Sequence, residues 1–351
     1  MVCTLNMPAV IDVAHEHNIP LAIYWIQPAT AFLTYYHYFH GHDKIITQHA
    51  TEPTYEVSLP GLYPLTIRDM PSFLTETTHS ELSKVIIQGF RELFMQIDQE
   101  KIIVLVNTFT ALEDVALKAL QPYVDIFSVG PAVPPLGSLQ WLKANEEKYM
   151  EWLNVQPEKS VVYLSFGSLL TYTTRQVEEI LYGLQDCGRR YLWVVRREGR
   201  AEDVDFYLRK VNRGKGMVVE WCDQLRVLSH PSVGCFVTHC GWNSTLEAIV
   251  HGVPMVAFPS WSDQPLNAHL IEAWSVGVRA ERDAEGTLTR SELVSCMELL
   301  MGDNEKARKI KARANHLKKK ANDALEKDGA LEGSLLKFIE YTINLSRNGH
   351  E

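Results

Sequence analysis

Three short polar stretches in the second half of the sequence have residue types that bind phosphorylated or hydroxyl-rich ligands. They are 165–168 (SFGS), 239–247 (HCGWNSTLE) and 260–264 (SWSDQ), and each follows an apolar run typical of a buried strand. In an open parallel sheet, ligands bind beyond the carboxyl ends of the strands, where loops and helix N-termini meet. We therefore expect all three stretches at one edge of one sheet.

The middle stretch has the composition of an anion site. Gly241 predicts a turn, and Asn243 or Ser244 predicts the start of the next helix, whose first backbone N–H groups favour a phosphate. His239 can donate a hydrogen bond to a phosphate oxygen. Glu247, one turn into the helix, can accept two hydrogen bonds from a ribose diol.

Residues on either side of this stretch extend the predicted site. Gly167 lets the backbone approach a ligand, and Ser165 and Ser168 offer two hydroxyls that can donate to it, although Ser-Gly pairs also cap ordinary turns. Trp221 can stack on a flat base or serve as a core tryptophan. Asp263 and Gln264 can share hydrogen bonds with sugar hydroxyls, or Asp263 can simply cap a helix. In chain order, these pieces predict a nucleotide-sugar site.

The elements that must position these residues alternate between strands and helices, which predicts an α/β fold with parallel, doubly wound sheets. A Pro- and Gly-rich stretch at 130–137 (GPAVPPLG) predicts a linker. We therefore expect domains at 1–135 and 136–330, followed by a tail at 331–351 that packs back toward the first domain. Predicted strands are 21–26, 102–106, 161–166, 191–196, 217–220, 233–237 and 254–258, and predicted helices are 8–18, 80–98, 174–187, 243–251, 264–274, 290–301 and 304–327.

Composition excludes several classes of protein. The 351 residues carry 34 Lys and Arg against 43 Asp and Glu, a net charge of −9 that argues against a general nucleic-acid surface. Six cysteines without a CxxC pair indicate reduced thiols in a cytoplasmic protein, and no run approaches the ~20 apolar residues of a membrane span. The basic run 306–320 could meet a phosphate-rich partner, but its apolar spacing favours a solvated amphipathic helix.

Residues 221–264 resemble, over their whole length, the signature box of plant secondary-product UDP-glycosyltransferases. Five further stretches look like landmarks of the same family: 25–30 (WIQPAT), 106–113 (VNTFTALE), 128–131 (SVGP), 161–169 (VVYLSFGSL) and 191–196 (YLWVVR). They are most similar to the subset of crocetin, anthocyanidin 5-O and indole-acetate glucosyltransferases. The resemblance implies a GT-B fold of two Rossmann-like domains, with the acceptor held mainly by the first and the donor by the second.

The resemblance also implies a role for each matching residue. Trp221 would stack on uracil, Glu247 would hold the ribose, and Asp263 with Gln264 would clamp the sugar, with Gln264 favouring glucose. The implied donor-binding residues are Ser168, Trp221, Cys222, Gln224, His239, Trp242, Asn243, Ser244, Glu247, Asp263 and Gln264. We expect a monomer that uses UDP-glucose as co-substrate and a small plant metabolite as acceptor, by an inverting reaction without metal or other cofactor.

The family's catalytic base is a histidine in a Gly-His-x-x-Pro stretch, which this sequence lacks. We expect that segment to precede Met1, so that the first domain would be truncated, and Thr4 stands where the family has the Asp that orients the base. No catalytic residue is therefore predicted within the chain. Two hypotheses remain: a glucosyltransferase, or a nucleotide-sugar-binding pseudoenzyme or fragment with impaired catalysis.

Other histidines are weaker candidates for chemistry. His37, His40 and His42 have a spacing that suggests a metal site, but no carboxylate partner is evident beside them in the sequence. Surface or rim positions are the favoured interpretation, and the same holds for His15 and His17 on the polar side of a predicted helix.

Overall fold

A computed structural model describes residues 1–4, 8–17, 19–77, 80–134, 146–167, 173–197, 203–211 and 215–348. The chain forms two compact units. The first unit comprises Met1–Val133, Trp261–Leu266 and Lys320–Glu351, and the second comprises Pro134–Ser260 and Asn267–Lys319. The first passage between them, at 133/134, falls inside the Pro- and Gly-rich stretch 130–137.

A parallel sheet organises the first unit. Its strands are β1 (Val2–Thr4), β2 (Ala22–Trp25), β3 (Glu56–Val57), β4 (Leu65–Thr66), β5 (Ile103–Val106) and β6 (Ile126–Ser128). β1, β2, β5 and β6 pair in that order, all parallel, whereas β3 and β4 form a separate antiparallel pair. All four residues of β5 are apolar and buried, as expected for an inner strand of a parallel sheet.

Helices follow the strands of this sheet. They are α1 (Pro8–Glu16), α2 (Ala29–His37) with a π turn at Tyr38–His42, α3 (Asp43–Gln48), α4 (Ser72–Thr75) after a 3₁₀ turn at Ile67–Asp69, α5 (Glu81–Glu100) and α6 (Thr110–Leu120). The π turn is kinked where Gly41 takes a φ of 99°. Ser80 caps α5 by accepting a hydrogen bond from the Ser83 N–H.

The second unit contains a larger parallel sheet. Its strands are β7 (Val161–Ser165), β8 (Arg190–Val194), β9 (Gly216–Val219), β10 (Val233–Thr238), β11 (Met255–Ala257) and β12 (Gly277–Arg279). They pair in the order β12-β11-β10-β7-β8-β9. The order runs outward in both directions from β7 and β10, so the carboxyl ends of these two neighbours form the middle of one sheet edge. Ligands of open α/β sheets bind at such a place.

Helices flank this second sheet and close its core. They are α7 (Glu146–Asn154), α8 (Thr174–Asp186), α9 (Val204–Leu208), α10 (Gln224–Ser229), α11 (Trp242–His251), α12 (Gln264–Ala273), α13 (Arg290–Met301) and α14 (Glu305–Leu325). The basic run forms α14 with Ile310, Ala314 and Leu317 buried, so the prediction of an amphipathic helix is confirmed. The core between sheet and helices includes Leu164, Ile180 and Trp193, all fully buried.

The last helix, α15 (Ala330–Asn348), packs on β6 of the first unit. The rings of Phe338 and Phe127 lie 5.8 Å apart, and Tyr341 Oη donates to Asp125 Oδ2 at 2.5 Å. Within the described part of the chain, no helix is both long enough and apolar enough to cross a bilayer. The two parallel sheets with flanking helices confirm the predicted α/β class.

Candidate functional site

A cavity of about 400 Å³ opens at the carboxyl ends of β7, β8 and β10 in the second unit. Seven residues that the sequence predicted for donor binding line it: Trp221, Cys222, Gln224, His239, Trp242, Asn243 and Ser244. They come from the loop before α10, from α10 itself and from the turn that starts α11. The sheet edge expected from the sequence therefore brings these residues together.

His239 follows β10 directly, and its imidazole lies between two glycines. A Cβ on Gly167 would lie 2.6 Å from His239 Nε2, and a Cβ on Gly241 would lie 2.5 Å from it. Gly167 also has a φ of 73°, which glycine adopts without steric cost. Burial lowers the pKa of His239 to about 4, against an opposing hydrogen bond with the Ser165 backbone. The ring is therefore neutral at pH 7 and can donate one hydrogen bond.

The turn that leads into α11 is fixed from two sides. Cys240 has a left-handed φ of 65°, and its N–H donates to Thr238 Oγ1 at 3.1 Å. Asn267 Nδ2 donates to the Cys240 carbonyl at 2.8 Å. Gly241 is the N-cap of α11 and supplies no capping side chain. This helix start, with the cavity-lining Asn243 and Ser244 in its first turn, suits an anion.

Gln224 hydrogen-bonds to two other cavity residues and to Glu247 on α11. Its Nε2 donates to Ser244 Oγ at 2.9 Å and to Glu247 Oε2 at 2.7 Å, and its Oε1 accepts from Tyr163 Oη at 3.1 Å. Burial raises the pKa of Glu247, while the Gln224 hydrogen bond opposes that rise. The amide thus holds the Glu247 carboxylate with one donated bond. A ribose hydroxyl can donate to the other carboxylate oxygen.

Cys222 and Asp223 have structural contacts beside the cavity. Burial raises the pKa of the Cys222 thiol to about 12, so it remains protonated, and its Sγ lies 3.3 Å from Tyr163 Oη. Asp223 caps α10 by accepting from the Arg226 N–H at 3.2 Å. Its own N–H donates to Tyr149 Oη at 3.0 Å. These bonds fix the loop that carries Trp221, which is half-buried.

Asp263 and Gln264 belong to the first unit. Both are buried, and Gln264 Oε1 accepts from the Trp261 N–H at 3.2 Å. Ser168, the remaining predicted phosphate ligand, lies outside the described residues.

His37 and His40 of the first unit make ordinary contacts with protein groups. His40 Nε2 lies 2.8 Å from Asp98 Oδ2, a carboxylate partner far away in sequence, and the His40 ring stacks on Tyr36. His37 Nε2 lies 2.8 Å from the Pro60 carbonyl, and burial lowers its pKa. Across the described ranges, no group of three or more His, Cys, Asp or Glu is placed to hold a metal ion.

Four cavity residues were not assigned roles from the sequence: Tyr163, Val194, Arg196 and Asp223. Tyr163 belongs to the landmark 161–169, and Val194 and Arg196 belong to the landmark 191–196, so the motifs contained these three residues without revealing the direction of their side chains. Tyr163 lies within β7, where alternate side chains face opposite sides of the sheet. Only the packed structure shows that its hydroxyl reaches Gln224.

Comparisons with known proteins agree over most of the chain. The profile of the family "UDP-glucoronosyl and UDP-glucosyl transferase" matches residues 73–319. The crocetin glucosyltransferase of Gardenia jasminoides, described as chloroplastic, is 41% identical over 357 residues, covering 97% of this chain and 75% of that protein. The anthocyanidin 3-O-glucoside 5-O-glucosyltransferase of Verbena hybrida is 41% identical and is covered to 74%. This chain thus spans about three quarters of the length of these relatives.

Solved structures give the same result. UGT2 of Phytolacca americana, complexed with UDP-2fluoro-glucose and pterostilbene, superposes with a TM-score of 0.81 at 26% identity, covering 97% of this chain and 74% of that one. Os79 of O. sativa, in complex with UDP, has a TM-score of 0.80 at 30% identity and coverages of 96% and 76%. The GT-B class expected from the sequence is confirmed. The chain belongs to the UDP-glucoronosyl and UDP-glucosyl transferase family and is by that resemblance a UDP-glycosyltransferase.

Proposed function

We propose that this protein is a UDP-glucose-dependent glucosyltransferase that transfers glucose to a hydroxyl or carboxyl group of a small plant metabolite. One observation carries the proposal: the second unit alone forms a cavity whose lining has an aromatic ring, an amide that holds the neighbouring Glu247 carboxylate, and an uncapped helix start beside a neutral imidazole. These groups match, in turn, a base, a ribose diol and a diphosphate. The named glucosyltransferases among the relatives support the same donor.

In this proposal each part of the donor has a partner. Trp221 stacks on uracil, and base stacking on an aromatic side chain contributes about 1–3 kcal/mol. Glu247, oriented by Gln224, accepts from the ribose. The first turn of α11, with Asn243 and the His239 ring beside it, holds the diphosphate. Ser168 remains an expected fourth phosphate partner.

The sugar is assigned to Asp263 and Gln264. A carboxylate next to an amide presents acceptors and donors together, which suits the alternating hydroxyls of a neutral hexose. Glucose is the proposed hexose because of the likeness of residues 221–264 to the family's signature box.

The proposed reaction inverts the configuration at the sugar carbon C1. The acceptor oxygen attacks C1 from the face opposite UDP, the C1–O bond to the diphosphate breaks, and the acceptor proton passes to a base. His239 and the α11 start would stabilise the charge that develops on the departing diphosphate, without a metal ion. None of the described residues is assigned as the base. Loss of a positioned general base typically costs ~10²–10⁴-fold in rate.

The decisive assay incubates the purified chain with labelled UDP-glucose and a panel of phenolic and carboxylic acceptors. A labelled glucoside or glucose ester from at least one acceptor, abolished in the His239→Ala variant, is the expected result. No product with any acceptor, while UDP still binds, would contradict transfer and establish the alternative, a nucleotide-sugar-binding protein without turnover. The Phe206→Ala variant is the matched control because Phe206 is 60% exposed and does not line the cavity.

We further propose a reducing compartment such as the cytoplasm for this chain. All six cysteines are free, and most are buried. Structural disulfides are typical of oxidising compartments, whereas buried free thiols suit a reducing one. Imaging of a fluorescent fusion tests this, and secretion of the fusion would contradict it.

A further inference from the structure

The turn before Asp263 has a backbone conformation that serine rarely adopts. Ser262 has a φ of 61°, in the left-handed region. Left-handed residues other than glycine are strained, and they persist only where surrounding contacts determine them. Such strain is concentrated at functional sites. Ser262 directly precedes the two residues to which the sugar is assigned, Asp263 and Gln264.

Ser72 pairs with both the backbone N–H and the backbone carbonyl of Ser262. The Ser262 N–H donates to Ser72 Oγ at 2.7 Å, and the Ser72 N–H donates to the Ser262 carbonyl at 2.8 Å. Both residues belong to the first unit, although 190 positions separate them in the sequence. This reciprocal pair fixes the position and the direction of the Ser262 peptide groups.

Neighbouring contacts hold the rest of the turn. The rings of Phe73 and Trp261 meet edge to face at 5.6 Å, and Gln27 Nε2 donates to Ser262 Oγ at 3.4 Å. The Gln264 N–H donates back to the Trp261 carbonyl at 3.2 Å, which closes the turn. Of these contacts, the Ser72 hydroxyl is the one that accepts the N–H of the strained residue, so it is the contact whose loss most directly frees the turn.

We propose that Ser72 is a positioning residue for the sugar end of the donor: it holds Ser262 in the left-handed conformation and thereby sets the direction of Asp263 and Gln264. The proposal rests on the proposed function, which assigns the sugar to these two side chains. The proposed role of Ser72 involves no contact with the donor. Its effect must therefore appear in recognition of the glucose and be absent from recognition of the nucleotide.

The test compares the dissociation constants of UDP and UDP-glucose by calorimetry, using the full chain. In Ser72→Ala, the ratio of the UDP-glucose constant to the UDP constant is expected to rise about tenfold, with UDP binding unchanged. Ser72→Thr keeps the hydroxyl and should keep the wild-type ratio. Ser80→Ala is the matched control, because it removes another helix-start hydroxyl from the first unit and should leave the ratio unchanged.

A second variant separates positioning from general loss of structure. Ser262→Gly adopts the left-handed conformation without strain, so it should restore most of the ratio when added to Ser72→Ala. Equal weakening of UDP and UDP-glucose in Ser72→Ala, an unchanged ratio, or no restoration by Ser262→Gly would each overturn the proposal. Absence of UDP binding in the wild-type chain would instead contradict the proposed function itself.

Discussion

At the scale of single residues, the position of His239 depends on two neighbours that have no side chain. Gly167 and Gly241 lie so close to its ring that a Cβ on either would come within 2.6 Å of Nε2. The imidazole is therefore confined, and its burial keeps it neutral. A confined neutral donor beside a helix start contributes direction as well as a hydrogen bond.

Replacing Gly241 by Ala should weaken UDP binding by about tenfold or more, because the new methyl group displaces the His239 ring. Gly241 has a φ of −59°, which alanine accepts, so the effect is steric. Calorimetric titration with UDP measures it. The control is Gly89→Ala, where nothing lies within 4 Å of the new Cβ and the middle of α5 gains helix propensity. Wild-type affinity in Gly241→Ala would contradict the placement of the ring.

A second prediction at this scale concerns pH. Burial, with a smaller contribution from Lys318, lowers the pKa of His251 from its ordinary value of 6.5 to about 4. On acidification the imidazole of His251 is therefore protonated in the unfolded chain before it is protonated in the folded chain. The stability that the neutral His251 contributes is lost as the pH falls from about 6.5 to about 4. Because His251 is only partly buried and solvent screens its interactions, lowering the pH from 7.5 to 5 should reduce the free energy of unfolding by about 1 kcal/mol through this residue.

Urea unfolding of the wild type and of His251→Gln at both pH values measures this cost. The variant should lose less stability than the wild type on acidification, since glutamine does not titrate. Equal losses in the two proteins would show that His251 titrates normally in the folded state.

At the scale of elements, Glu113 links α6 to the start of α2. The N-cap of α2 is Pro28, which has no side-chain acceptor. The buried Glu113 carboxylate takes the capping role instead. It accepts hydrogen bonds from the Ala29 N–H at 3.0 Å, the Thr30 N–H at 2.9 Å and Thr30 Oγ1 at 2.7 Å. Burial raises the pKa of Glu113, and these hydrogen bonds oppose the rise. A carboxylate at a helix N-terminus is also favoured by the helix dipole.

Glu113→Gln should lower the free energy of unfolding by about 2 kcal/mol, because an amide offers fewer acceptor sites and places an N–H group among buried donors. Thermal denaturation followed by circular dichroism measures the loss as a lower Tm. The neighbouring Asp114→Asn is the matched control, since its ion pair with Lys118 is exposed and should leave Tm nearly unchanged. A similar Tm for Glu113→Gln and the wild type would contradict the capping role.

The elements predicted from the sequence are those with a clear hydrophobic pattern. The predicted strand 161–166 is found at Val161–Ser165 and the predicted helix 290–301 at Arg290–Met301, and each of the other predicted elements is found with its ends within two residues. By contrast, α2 was not predicted, because all nine of its residues are buried and no polar face reveals a helical period. β1 and β12 were missed because three residues are too few to show alternation.

The site residues also separate into those that a sequence pattern predicted and those that it did not. Strand-end reasoning located Trp221, His239 and Ser244, because turns and helix starts leave polar residues in the sequence at recognisable positions. This reasoning did not predict Tyr163, because a tyrosine within a strand is expected to be a core residue until the packed structure shows where its hydroxyl lies. The reciprocal Ser72–Ser262 pair was also not predicted, since no local sequence pattern relates residues so far apart.

At the scale of the whole molecule, each of the two units has its own parallel sheet, and the candidate site residues are distributed between them. Every residue that lines the cavity belongs to the second unit, whereas Asp263 and Gln264 belong to the first. In the proposed function, recognition of the nucleotide therefore depends on the loops of the second sheet alone. The proposed function requires this cavity to bind the UDP part of the donor.

Calorimetric titration of the intact chain with UDP tests that claim most directly. We expect one UDP to bind per chain in the wild type, and to bind about 10- to 100-fold more weakly in Trp221→Ala because stacking on the base is lost. Phe206→Ala, which removes an exposed aromatic ring of the same unit, should bind as the wild type does. No UDP binding by the wild-type chain, or equal affinity in Trp221→Ala and the wild type, would contradict the account.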